Sequence, residues 1–287
     1  MLEFIMVKLI IGFIFISSAY AKDITVLFND KAAPVTERIK SITAFFIGTP
    51  VSIDPRGEGE GLDPDPVFSS SLFDCTTYIE TVMAISVSKD IDEAKKRLTA
   101  IRYKNSEVNY FKRNHFMVSD WVPENIKNGN IVDLLPELNL EKTALKHGKK
   151  ALNKTTWFLH RVVDLMDKRG KGKNEIIENL KKVPETKLQF EETDYLLAEY
   201  FRSHENDFFA KLPDITIVMF IRDIKNTPTL VTHMGFIIRK NGKFYLNHAP
   251  QMKPWIVQEI PLDDYFKEMD MHRAPIEGLL LYGIREY

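Results

Sequence analysis

Cys75, His233 and His248 are the residues of this 287-residue chain whose types and placement suit nucleophilic chemistry. Cys75 is the single cysteine and sits in Phe73-Asp74-Cys75-Thr76-Thr77-Tyr78-Ile79-Glu80, where an extended approach turns into a helix. A thiol there meets the positive end of the helix dipole and unpaired backbone N–H groups, both of which favour thiolate. One cysteine cannot close an internal disulfide, and the polar neighbours Asp74, Thr76 and Thr77 argue against a purely apolar niche. Candidate bases come much later. Leu230–Lys240 and Lys243–Ala249 read as strands flanking Asn241-Gly242, the signal for a two-residue type I′ hairpin. With Lys240 opposite Lys243, Gly235 faces His248 and His233 faces Pro250. Both imidazoles then lie on one sheet face as diagonal neighbours, roughly 5–8 Å apart, and Gly235 leaves room for the second ring. In such a site His233 takes the Cys75 proton, or holds it as an imidazolium–thiolate pair, and later protonates the leaving amine. His248 orients His233, and the Cys75 N–H supplies an oxyanion donor.

The elements that must position these residues follow from periodicity and breakers. Residues 32–48 predict a helix ending near Gly48, followed by Thr49-Pro50 and a Gly/Asp/Pro-rich loop from Asp54 to Pro66, which forms a surface wall. Cys75–Ser88 is the nucleophile helix, with Tyr78, Ile79, Val82, Met83 and Ile85 at helical spacing on a buried face. A further helix is expected over Ile91–Ile101. From about Leu140 to Ala210 the pattern reads as mostly helical and charged, broken at Gly170-Lys171-Gly172 and Pro184. Ile215–Ile221 is a continuous apolar run, as expected of a strand buried on both faces. Helices followed by strands indicate an α+β fold, read here as one domain over 22–287 with a helical insertion at about 140–210.

Composition narrows the function classes. The chain is 44% hydrophobic and 28% charged with a formal net charge of −1, an ordinary globular balance with no nucleic-acid footprint. The lysine-rich stretch between Lys142 and Lys173 fits a solvated helical face. Residues 1–21 carry Lys8, an apolar run from Leu9 to Ile16 and Ala19-Tyr20-Ala21, which reads as a secretory signal peptide with an A-x-A site. The expectation is an exported protein, periplasmic or secreted, with no stable membrane insertion once the signal is removed.

The Phe73–Tyr78 block, His233-Met234-Gly235-Phe236 and Asn247-His248-Ala249 resemble the Cys, His, His blocks of the NlpC-type papain-like cell-wall cysteine peptidases. A closer resemblance is to a bacterial branch called N-acetylmuramoyl-L-alanine amidase-like. It rests on Phe46-Ile47-Gly48-Thr49-Pro50, the cysteine block through Glu80, Ile101-Arg102-Tyr103, and Arg113-Asn114-His115-Phe116 with Asp120-Trp121. The resemblance implies a papain-like core with a central antiparallel sheet and, without any cofactor or metal, hydrolysis of an amide in peptidoglycan or muropeptides. Two bonds are candidates: N-acetylmuramoyl-L-alanine and a γ-D-glutamyl link in the stem peptide. Asp74, Thr76, Arg102, Arg113, His115, Asp120 and Trp121 are the candidates for substrate contact. A guanidinium suits stem carboxylates and Trp121 suits stacking. The competing role is a structural salt bridge for each arginine, the weightier one for Arg102, and packing at the core edge for Trp121. Val51 stands where that branch usually has tyrosine, and Pro213-Asp214 where it often has Gly-Asp, which bears on substrate recognition. Rival classes are a zinc site built from Cys75, His233 and His248, a lipid acyltransferase on the same fold, and a non-catalytic wall-binding module.

Overall fold

A computed structural model describes residues 22–30, 32–225 and 227–285, so the signal-like segment 1–21 lies outside the described residues. α1 (Val35–Phe46) ends where Gly48 takes φ +83°, in the left-handed region that favours glycine. α2 (Cys75–Ser86) and α3 (Ile91–Arg102) begin at Asp74 and Asp90, whose carboxylates accept from the Thr77 and Glu93 N–H groups. Asp74 closes a full capping box, because the Thr77 hydroxyl in turn accepts from the Asp74 N–H at 2.8 Å. The start of α2, at Cys75, is therefore fixed by its own sequence.

After α4 (Val122–Lys127) and the short β1 (Ile131–Asp133) come β2 (Leu145–Leu152), α5 (Lys154–Lys168), α6 (Lys173–Leu180) and β3 (Gln189–Leu197). The chain continues through α7 (Ala198–Ser203), α8 (Glu205–Lys211), β4 (Ile215–Ile221), β5 (Val231–Lys240), β6 (Lys243–His248), β7 (Gln258–Pro261), α9 (Leu262–Asp270) and β8 (Gly278–Ile284). One sheet runs in the order β2-β3-β8-β4-β5-β6-β7, with β1 also paired to β8, and its ladders are antiparallel. The fold is α+β with a central antiparallel sheet.

β4 is buried along its whole length and its period-2 alternation feeds two cores. Ile217, Met219 and Ile221 pack toward α1, α2 and α3, whereas Val218 and Phe220 pack toward α7, α8 and α9. The β5–β6 hairpin has the register expected from its turn. Lys240 pairs with Lys243 and Phe236 with Asn247, and Asn241 and Gly242 both take positive φ, 52° and 71°, as a type I′ turn requires.

The region at 140–210 corrects the reading of a mostly helical insertion. α5 and α6 are helical, but β2 and β3 on either side of them pair over their full length and extend the main sheet. The physical reason is that the charges here are matched across strands rather than along a helix. Lys149 Nζ lies 2.7 Å from Glu192, and His147 Nδ1 lies 2.9 Å from Asp194 on the facing strand.

Candidate active site

Cys75 occupies the first turn of α2, half-buried. Neither its backbone N–H nor that of Thr76 has an acceptor among the described residues, so both are donors of the kind a helix start leaves open. Across from them, the β5–β6 ladder stops at Phe236–Asn247, one pair short of His248. His233 Nε2 lies 2.8 Å from His248 Nδ1, with ring centroids 5.0 Å apart. The diagonal pairing expected from the hairpin register places the rings in hydrogen-bond contact. Gly235 allows it: an added Cβ would come within 2.7 Å of Leu246 Cδ1, 3.0 Å of the Asn247 carbonyl oxygen and 3.1 Å of His248 Cβ.

The pair is held from the α9 side. The Tyr265 ring lies 6.0 Å from His233 and 5.2 Å from His248, and Phe220 stacks on His233 at 6.1 Å with an interplanar angle of 14°. Gln258 on β7 closes the chain, its carboxamide 3.2 Å from His248 Nε2. His233 Nδ1 makes no hydrogen bond among the described residues and is the ring nitrogen open to a proton donor. For it to act as base, His233 must donate from Nε2 to His248 Nδ1, and His248 from Nε2 to the Gln258 carboxamide oxygen. The amide nitrogen of Gln258 faces His248 here, so a half-turn of the carboxamide converts one tautomer chain into the other.

Electrostatics set the resting state. Burial, reinforced by the Asp74 carboxylate, pushes the Cys75 thiol up to about 11, against weaker opposing effects from Thr76, Arg56 and the Met234 backbone. Burial and then the Arg222 charge bring His233 down to about 4, opposed by Asp74. Burial also holds His248 well below the usual histidine range. At neutral pH the thiol and both imidazoles are uncharged. The thiolate preference expected of a helix start is outweighed by desolvation. No hydrogen bond joins the Cys75 sulfur to either imidazole among the described residues; the sulfur meets the Thr76 hydroxyl at 4.0 Å and the Met234 backbone. Contacts of this kind tighten when substrate excludes water.

The other substrate-contact candidates separate into three groups. Asp74 and Thr76 flank Cys75, Asp74 as helix cap and partner of Arg56 at 3.7 Å. Arg102 and Trp121 lie in the interior, and Arg113, although it borders the same cleft as Asp120, has its guanidinium engaged by carboxylates. Arg102 is 2% exposed and donates from Nε to Glu80 at 2.6 Å, while Trp121 is 0% exposed and donates to the other Glu80 oxygen at 3.1 Å. Arg113 is buried against Glu58 at 2.6 Å and Asp63 at 3.0 Å. A guanidinium already paired with carboxylates is unavailable to a substrate carboxylate. His115 is half-buried beside Tyr110, whose carbonyl accepts from its Nε2 at 2.8 Å. Asp120 is paired with Lys154 at the rim of a separate cleft.

Several residues of the site escaped the sequence reading: Arg56, Gln258, Tyr265 and Arg222. Arg56 sits in the Asp54–Pro66 loop, which reads as a surface wall, and its approach to Asp74 is a tertiary fact. For a zinc site, Cys75, His233 and His248 would have to converge. Among the described residues no group of three or more His, Cys, Asp or Glu is arranged to hold a metal ion.

The fold is thus an α+β protein in which two histidines in hydrogen-bond contact on the sheet face a cysteine at a helix start. Residues 41–272 match the AmiA-like family, described as N-acetylmuramoyl-L-alanine amidase-like, and the chain belongs to that family. Among solved structures, a Legionella pneumophila protein superposes with a TM-score of 0.80 at 23% identity, covering 93% of this chain and 96% of its own. An N-acetylmuramoyl-L-alanine amidase from Bacteroides uniformis gives 0.59 at 19% identity, covering 88% and 99%. A Bacteroides fragilis protein described as a xylanase candidate also gives 0.59 at 19%, covering 85% and 99%. At these identities the likeness establishes the fold alone. No curated protein matches the chain.

Proposed function

We propose that this protein is a cysteine amidase of the cell envelope that hydrolyses the N-acetylmuramoyl-L-alanine bond of peptidoglycan or muropeptides, on a papain-like core. The observation that carries the reading is the 2.8 Å His233–His248 contact on the strands facing the start of α2, where Cys75 is the single thiol. Membership of an amidase-like family supports the reaction class. The signal-like residues 1–21 support action outside the cytoplasm.

In this mechanism His233 Nδ1 accepts the thiol proton as the sulfur attacks the amide carbonyl carbon. The carbonyl π electrons move to oxygen, and the oxyanion is met by the open Cys75 and Thr76 N–H groups. His233 returns the proton to the nitrogen as the C–N bond breaks, releasing the amine and leaving a thioester. Water, deprotonated by His233, then attacks the thioester, freeing the carboxylic acid and restoring the thiol. His248 and Gln258 stabilise the transient imidazolium by accepting along the chain.

Mass spectrometry of products from purified muropeptides tests this with wild type and Cys75→Ala. Release of intact stem peptide that depends on Cys75 is the expected outcome. A cut inside the stem would replace the proposal with the γ-D-glutamyl endopeptidase reading, and no cleavage would move it to an acyltransferase or a binding module.

A further inference from the structure

Directly after β4, whose neighbour β5 carries His233, lies a cleft of about 660 Å³ lined by residues 222–225 and 272–274. Its position follows from register: Phe220 pairs with His233 and Ile221 with Val231, and Arg222 follows directly on β4. Arg222 lies close enough for its charge to act on the imidazole.

The cleft is cationic and unneutralised. Arg222, Lys225 and Arg273 outnumber the single carboxylate of Asp223, and none of the three forms an ion pair among the described residues. Elsewhere in the chain most arginines have a carboxylate within reach. Arg222 is also oriented. Its Nε donates to the Ala274 carbonyl across the cleft, and its terminal nitrogens have no hydrogen-bond partner among the described residues. A guanidinium pinned through Nε with its outer edge open is prepared for a planar anion. The volume lies in the range of small-ligand sites.

We infer that this cleft is a carboxylate-binding subsite for an acidic peptide, with Arg222 and Arg273 as the residues that select substrates bearing free carboxylates on the peptide side of the scissile amide. The inference rests on the amide-hydrolase reading and specifies its substrate. It moves the cationic contacts expected of Arg102 and Arg113, both engaged with carboxylates, to the segment that follows β4.

The test compares kcat/KM for a muramyl tripeptide with free carboxylates and for the same compound with those carboxylates amidated, in wild type, Arg222→Gln and Arg273→Gln. Wild type is expected to lose roughly tenfold to a hundredfold on amidation, the worth of a charge-assisted hydrogen bond or two. Each variant is expected to lose a comparable factor on the free-acid compound and to discriminate less between the two. Arg222 also influences His233, and that part of its removal acts on both compounds alike; the ratio cancels it, and Arg273→Gln stands apart from it. An unchanged ratio in both variants, or a wild type indifferent to amidation, overturns the subsite. If wild type cleaves neither compound, the amidase proposal fails separately, and calorimetry of Cys75→Ala with the two compounds decides the subsite. Binding at least tenfold weaker on amidation supports it, and equal affinity overturns it.

Discussion

Alkylation of Cys75 measures the resting state of the site directly, because the chain has a single cysteine. Burial and the neighbouring Asp74 carboxylate push the thiol from an ordinary 9.0 up to about 11. Those two units mean about a hundredfold less thiolate at neutral pH than in the unfolded chain, and the thiolate is the form that alkylates. The assay is the pseudo-first-order rate of iodoacetamide addition, followed by intact mass, across the pH range from about 5 to 11. Restricted access scales every rate by a common factor, so the inflection is the quantity to read. The native rate should climb throughout, without a plateau on the neutral side, and denatured protein should level off earlier. Asp74→Asn should move the inflection downward, because asparagine caps a helix as well as aspartate does but carries no charge. A plateau already present at about pH 5 that disappears in His233→Ala would refute the reasoning, since it is the mark of an imidazolium–thiolate pair.

The same electrostatics predict an acid limb of kcat/KM near pH 4, where His233 takes a proton and ceases to be a base; Gln258→Glu should move that limb upward, because a carboxylate accepting from His248 favours the charged pair, and a limb at the usual histidine value in wild type would contradict the assignment. Stability follows the same sign. Burial depresses His115, His233 and His248, so the unfolded chain binds more protons in acid, and folding free energy should be level above about pH 6.5 and fall toward about pH 4. Urea titrations across that window should show the loss, with a shallower slope in His233→Gln. Gly235→Ala should cost about 1–3 kcal/mol by overpacking and lower kcat at constant fold, because the new methyl meets His248; near-normal turnover would mean the imidazole pair tolerates displacement. Arg102→Ala should destabilise by about 3–5 kcal/mol in denaturant unfolding, since it leaves Glu80 as a buried unpaired carboxylate.

What was legible in the sequence is what local chemistry determines. The Asp74 cap, the helix over Cys75, the Asn241-Gly242 turn and the β4 run each carry their own signal within a few residues, and the turn alone fixes the register that brings His233 to His248. β2 and β3 were not legible because they face water on much of their surface and match charges across strands, so neither shows an apolar alternation. Gln258, Tyr265 and Arg222 lie outside the motif blocks, and only the meeting of β4, β5, β7 and α9 brings them to the histidines.

The misplaced arginines carry a physical lesson about reading cations from sequence. Arg102 and Trp121 converge on Glu80, which belongs to α2, the helix that Cys75 begins. Arg113 and Tyr103 converge on Glu58, two residues from Arg56, and Arg113 and Arg169 both reach Asp63 in the same loop. The polar clamp thus holds α2 with one set of contacts and the Asp54–Pro66 loop with the other, and between them lies the Arg56–Asp74 contact beside Cys75. Such buried pairs add little net stability over apolar packing but have strict geometry. Their role is to fix the loop and the helix start relative to each other. A motif rich in Arg, Tyr and Trp beside Cys75 therefore describes the frame that positions the start of α2. Arg222, Lys225 and Arg273, by contrast, form no ion pair among the described residues, which is why the proposed subsite is placed there.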